Sequence, residues 1–175
     1  YEAALTFMMR IVIVLTAEEK EMFPVNDSFY VQNYSISSMR DVLRNTEEEI
    51  LGNKYDAYNR LLALFRLIYS GSKHNKFTMA AYGGSLFNPD RFPFLEGRKS
   101  NTSFTNTPAD PLPVDNRTIL HILESIQFIQ EDGEFSRVSF RTLDVEQIGY
   151  VYETLLEHKA ERSKDTILKF QCSKD

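Results

Sequence analysis

The sequence predicts an all-α, or mainly α, fold: an irregular helical bundle with a long central loop and two short strands near its C-terminal end. Three observations predict it. Apolar residues recur at helical spacing along most of the chain, as in Tyr58, Leu61, Leu62, Phe65 and Ile68. Ser35 or Ser37, Asp115 and Asp144 stand where their side-chain oxygens can accept the free N–H groups of a first helical turn. All but one of the six prolines fall between Ser85 and Val114, which reads as one long irregular loop over residues 85–114. With 175 residues and 42% hydrophobic content, the chain suits a single helical domain over residues 1–175 with a sizeable core.

The first helix is expected from about Glu2 to Met22. Its apolar positions nearly encircle it from Leu5 to Leu15, so that half should be buried. Glu18, Glu19, Lys20 and Glu21 should face solvent, and Phe23-Pro24 should stop the helix. Asn26 to Tyr34 reads as a connection pinned by its aromatics. A second helix follows, with Ile36, Met39, Val42 and Leu43 on its inner face. Glu47-Glu48-Glu49 reads as a solvated face. A third helix runs from about Tyr55 to Tyr69 and stops at Ser70-Gly71. Lys73, His74 and Lys76 then lie on or near a loop, and a short helix over Phe77 to Tyr82 ends at Gly83-Gly84.

Beyond the long loop, Asp115 should cap a helix from Asn116 to Gln130 with Ile119, Leu120, Leu123 and Ile126 inside. Glu131-Asp132-Gly133-Glu134 is a turn, and Arg137 to Arg141 a short extended segment. The final helix is the most strongly patterned. Asp144 and Gln147 have capping-box spacing, and Ile148, Val151, Tyr152, Leu155 and Leu156 make one apolar face. Gly149 inside it costs about 1 kcal/mol relative to Ala, which implies a packing reason such as another backbone against that point. A second short strand is expected at Thr166 to Phe170.

Charge and motif searches narrow the chemistry. The net charge is −5, yet from Lys54 to Ser100 eight basic residues stand against three acids. A localised polyanion contact fits that asymmetry, and so does an ordinary solvated surface. Cys172 is the single cysteine, so an internal disulfide is excluded and a reducing, cytoplasmic setting is the simpler reading. The apolar run Ala3 to Leu15 contains Arg10 and is too short to span a bilayer, so no membrane partner is expected. It also lacks the context of a cleaved signal peptide. A start at Tyr1 and a polar tail, Ser173-Lys174-Asp175, read as a piece of a longer chain.

No phosphate-binding glycine loop or nucleophile elbow is present, and His74, His121 and His158 lack metal-ligand spacing. Pro89-Asp90 followed by Glu96-Gly97-Arg98-Lys99 approaches the Pro-Asp…Glu-x-Lys pattern of metal-dependent nucleases. However, Arg98 stands for the lysine, and no strand pattern carries the acids. A proline-terminated loop is the better account. The expected sites are therefore no catalytic residue and no metal.

Four blocks resemble one family in the same order. They are the N-terminal helix ending in Leu15-Thr-Ala-Glu-Glu19, Tyr58-Asn-Arg-Leu-Leu-Ala-Leu-Phe-Arg-Leu-Ile-Tyr-Ser-Gly71, Tyr82-Gly-Gly-Ser-Leu-Phe-Asn-Pro-Asp90, and Leu143-Asp-Val-Glu-Gln-Ile-Gly-Tyr-Val-Tyr-Glu-Thr-Leu-Leu-Glu157. The last is similar to a segment just upstream of the catalytic domain in large bacterial DNA methyltransferases of type II restriction-modification and phage-defence systems. The resemblance covers about Phe7 to Leu168. It implies a helical region preceding an S-adenosylmethionine-dependent, adenine-N6 methyltransferase domain, in systems that include fused endonucleases. That domain's glycine-rich cofactor loop and Asn-Pro-Pro-Tyr or Asn-Pro-Pro-Phe motif are absent here. Asn88-Pro89-Asp90-Arg91-Phe92 is a near-match only, so no catalytic residue carries over.

Two functions follow. In the first, the chain is the non-catalytic helical domain of such a methyltransferase, positioning DNA or the downstream catalytic domain. The candidate phosphate contacts are then Arg60, Lys73, Lys76, Arg91, Arg98 and Lys99. S-adenosylmethionine is implied for the parent chain, and no cofactor for this segment. In the second, the chain is a helical protein-protein interaction module without nucleic-acid contact, whose 85–114 loop engages another domain or subunit.

Overall fold

A computed structural model of the chain describes residues 1–74, 77–131 and 134–157. About 54% of it is helical. Seven α-helices are described: α1 (Glu2–Glu19), α2 (Ser28–Asn33), α3 (Ile36–Arg44), α4 (Glu48–Gly52), α5 (Asp56–Ser70), α6 (Asn116–Gln127) and α7 (Val145–Leu156). A 3-10 turn over Pro93–Glu96 and two antiparallel strand pairs complete the described elements, β1 (Ser72–His74) with β2 (Phe77–Met79) and β3 (Phe128–Glu131) with β4 (Glu134–Arg137). The mainly α class expected from the periodicity is what the chain adopts.

The core is built around α1 and α5. Ile11, Val14 and Leu15 of α1 are fully buried, as an all-round apolar helix requires. Phe7 packs on Tyr58 and Phe65 of α5, with ring centroids 5.8 and 5.6 Å away. The stripe Tyr58, Leu61, Leu62, Phe65 and Ile68 is buried, joined by Leu64 and Leu67. α3 packs on α1 and α6, α4 and α5 pack on α6, and α7 packs on α1. Asn116 ties the starts of α5 and α6 together. Its side chain accepts from the Ala57 N–H (3.0 Å) and donates to Asp56 (2.9 Å).

Several local expectations are corrected. α1 ends at Glu19, before Phe23-Pro24, in a Schellman-type turn. The Glu21 N–H bonds the Glu18 carbonyl and the Met22 N–H bonds the Ala17 carbonyl, with Glu21 at φ 56. Glu18 is buried rather than solvent-facing. Its carboxylate accepts from the Ile36 and Ser37 N–H groups (2.8 and 3.2 Å), and from the Ser37, Ser35 and Tyr30 hydroxyls. It thereby caps α3, where the helix dipole favours an anion. Burial, with the Glu18 carboxylate beside it, pushes the Tyr30 phenol above its ordinary range.

Ser35 is the side-chain cap of α3. Val42 is 59% exposed, because Arg40 takes the inner position one turn after Ile36. The expected connection over Asn26 to Tyr34 contains α2, capped by Asp27, and buries Tyr30. The expected short helix over Phe77 to Tyr82 is instead β2. Phe77 and Met79 point inward and Thr78 outward, and the strand pairs with Ser72–His74. Phe77 stacks on Tyr34 at 5.8 Å. α6 ends at Gln127, three residues before the expected end at Gln130, and gives way to β3 at Phe128. The extended segment expected over 137–141 contributes only Arg137 to a strand. Lys76, Asp132, Gly133, His158, Cys172 and the strand expected at Thr166 to Phe170 lie outside the described residues.

Gly149 needs no close packing inside this structure. It is exposed, and a Cβ built there meets nothing within 4 Å among the described residues. The expectation of a backbone lying against it is corrected. The capping box at the start of α7 shows its reciprocal half, the Asp144 N–H donating to the Gln147 side chain at 3.3 Å.

Candidate functional site

The 85–114 loop folds around one guanidinium. The Arg98 side chain is completely buried, and its five N–H donors are all matched. Nε bonds Glu96 (2.7 Å), Nη1 bonds the carbonyl and hydroxyl of Thr102 (2.8 and 3.2 Å), and Nη2 bonds the Pro89 carbonyl and Asp90 (both 2.8 Å). Arg66 of α5 grips the other side of Glu96 with two bonds of 2.6 and 2.7 Å. Burial opposes the charge on Glu96, but the hydrogen bonds from Arg66 and Arg98 outweigh it and hold the carboxyl below its usual range. Asp90 is likewise lowered: desolvation works against it and is outweighed by the Phe104 N–H and Arg98. Gly97, at φ 69, lets the loop close, since a Cβ there would collide with the Asp110 carbonyl.

The nuclease-like pattern is thus a structural ion cluster, with both acids turned to arginines. Among the described residues no group of three potential metal ligands converges. Arg10 of α1 fastens the start of the loop, donating to the carbonyls of Leu86 (2.6 Å) and Asn88 (3.1 Å). Burial lowers its pKa to about 10, so it stays charged at neutral pH.

The six candidate phosphate contacts have different fates. Arg98 is corrected, because no donor of its sealed guanidinium is left for a phosphate. Arg60 on α5 is half-buried and donates to the Gln32 carbonyl at 2.9 Å. Lys73 is exposed on β1, and Lys76 is outside the described residues. Arg91 pairs with Glu2 at 2.7 Å and lies over the Phe92 ring. Lys99 is exposed on the same loop. The fold therefore distributes the described cations over α5, β1 and the loop, and among the described residues Arg91 and Lys99 share an accessible segment.

A second feature is an apolar groove of about 340 Å³ beside α1 and α7. α1 contributes Met9, Ile13, Thr16 and Ala17, and α5 contributes Ile68. Tyr82, Leu86 and Phe87 come from the segment before the loop closes, and Ile148, Gly149 and Tyr152 from α7. Its polar neighbours are tied off: Lys20 donates to the Leu143 carbonyl (2.7 Å), Tyr82 to the Met22 carbonyl (3.3 Å), and the Tyr152 hydroxyl pairs with Thr6 (3.2 Å). Tyr150, next to Gly149, is 73% exposed. A groove so lined holds apolar side chains rather than a charged substrate.

Periodicity identified α1, α5 and α7 as helices but not the side of each that faces this groove, because the facing side depends on elements distant in sequence. The one local signal was Gly149, a helical glycine with no internal reason. Comparison with protein-family models, curated proteins and solved structures yields no match. No helix among the described residues is long and apolar enough to cross a membrane.

Proposed function

We propose that this chain is the non-catalytic helical domain of an S-adenosylmethionine-dependent DNA adenine-N6 methyltransferase of a restriction-modification or phage-defence system. Its task is to position the catalytic domain and the DNA. One observation carries the reading. The four blocks that resemble such enzymes, spread from α1 to α7, each contribute lining residues to the same apolar groove. A shared docking surface explains why these separate stretches resemble one family better than a list of core helices does. Gly149 fits the same account, since its missing Cβ leaves the groove open for a segment of the catalytic domain.

The chemistry then resides in the downstream domain, which would bind S-adenosylmethionine. This chain's own residues orient and bury; none of them is assigned a catalytic role. The test is transfer of labelled methyl from S-adenosylmethionine to duplex DNA by the longer chain containing residues 1–175. The expected product is N6-methyladenine. A longer chain that folds but forms no N6-methyladenine overturns the reading.

A second reading, a protein-protein interaction module without nucleic-acid contact, is favoured by the sealing of Arg98 and by loop residues Phe94 and Leu112, which are 54% and 49% exposed. It predicts partner binding with no affinity for DNA at low salt.

A further inference from the structure

A surface pocket of about 430 Å³ lies on the 85–114 loop, and the role given to it below rests on the methyltransferase reading. The pocket is lined by two runs that the loop folds together, one containing Arg91 and the other Ser100 and Asn101. The Arg98 cluster brings those runs side by side, since its guanidinium bonds Pro89 and Asp90 on one and Thr102 on the other. Lys99, Ser100 and Asn101 are exposed or nearly so, and their side chains engage no partner among the described residues. Arg91 is held by an ion pair to Glu2, a residue whose side chain is 55% exposed, by the ring of Phe92 and by the Tyr152 hydroxyl. Such a surface pair is weak and exchanges readily. Asp90, the acid of the lining, is turned to Arg98 and the Phe104 N–H, so its charge is matched from beneath.

We infer that this pocket is a phosphodiester subsite for the DNA backbone. Arg91 releases Glu2 and grips a phosphate oxygen. The Ser100 hydroxyl and Asn101 amide donate hydrogen bonds, and Lys99 adds a second positive charge. These groups contact phosphate and no base edge, so the site positions DNA without reading its sequence. Glu2 acts as the resident stand-in for the phosphate.

The test is fluorescence anisotropy of a labelled duplex titrated with this chain over a series of salt concentrations. Each lost phosphate contact reduces the slope of log affinity against log salt by about 0.9. Arg91→Ala with Lys99→Ala should therefore reduce it by about 1.8, while Lys54→Ala, at an exposed cation between α4 and α5, leaves it unchanged. Glu2→Gln should tighten binding several-fold, opposite in sign to Arg91→Ala. A purely structural Arg91–Glu2 pair would make both variants change binding alike, and that result overturns the subsite. Duplex binding insensitive to all these changes, or no duplex binding at low salt, also overturns it. So does binding of inorganic phosphate alone without duplex affinity. Methyl transfer is read separately, so failure of the subsite leaves the methyltransferase reading standing, and the absence of N6-methyladenine identifies failure of that reading.

Discussion

Glu21 closes α1 in a left-handed backbone, φ 56, with its side chain exposed to water. An L-residue pays about 1–2 kcal/mol for that conformation, and glycine avoids most of it. Glu21→Gly is therefore expected to stabilise the chain by about 0.5–1 kcal/mol after glycine's extra unfolded-state freedom is subtracted. A thermal melt reads this as a rise of about 1–4 °C. Asn116 presents the opposite case. Its side chain satisfies the buried Ala57 N–H and reaches Asp56. Asn116→Ala orphans that N–H and should cost about 1–3 kcal/mol, measured by urea denaturation. Asn116→Asp keeps an acceptor for Ala57 but sets a carboxylate against Asp56, so it should also destabilise. Neither residue was legible in the sequence. Glu21 was read as part of a solvated helix end, and the partners of Asn116 lie about sixty residues back. Local signals sufficed where the partner is local: Asp115 was read as the cap of α6, and it accepts from the Thr118 N–H at 2.7 Å.

At the scale of elements, α1, α5, α6 and α7 were readable because a helix's periodicity and caps sit in its own residues. β2 was not. Three residues become a strand only by pairing with β1 and burying Phe77 against aromatics of α2 and its flank, and neither partner is visible in a short window. The loop's length and prolines were visible, but not the closure that makes Arg98 its centre. That closure predicts an acid response. Asp90 and Glu96 have lowered pKa values in the fold, so the unfolded chain binds more protons than the folded one at acid pH. The stability they contribute is complete above the ordinary carboxylate range, about pH 4 to 4.5. It is lost as pH falls through that range toward their lowered folded values. Melts taken from neutral to acid pH should show this decline. Asp90→Asn with Glu96→Gln should start lower at neutral pH and decline less. An equally steep decline in the double variant would remove the cluster as its cause. α7 offers a second element-scale outcome. Because a Cβ at Gly149 meets nothing, Gly149→Ala should stabilise the isolated chain by about 1 kcal/mol, seen as a higher melting temperature.

For the whole molecule, the fold assembles four separated blocks into one apolar groove, and the role proposed for that groove is to receive a catalytic domain. Gly149 tests it most directly, because there stability and function are predicted to move apart. Leucine is nearly as good a helix former as alanine, and it would project its side chain at the groove wall lined by Ile148 and Tyr152. The decisive measurement is N6-adenine methylation by the longer chain carrying Gly149→Leu, beside a melt of the same variant. The expected result is a melting temperature at or above that of the parent, with methylation reduced at least about tenfold, equivalent to roughly 1.4 kcal/mol of lost transition-state stabilisation. Undiminished methylation by the folded variant would contradict it.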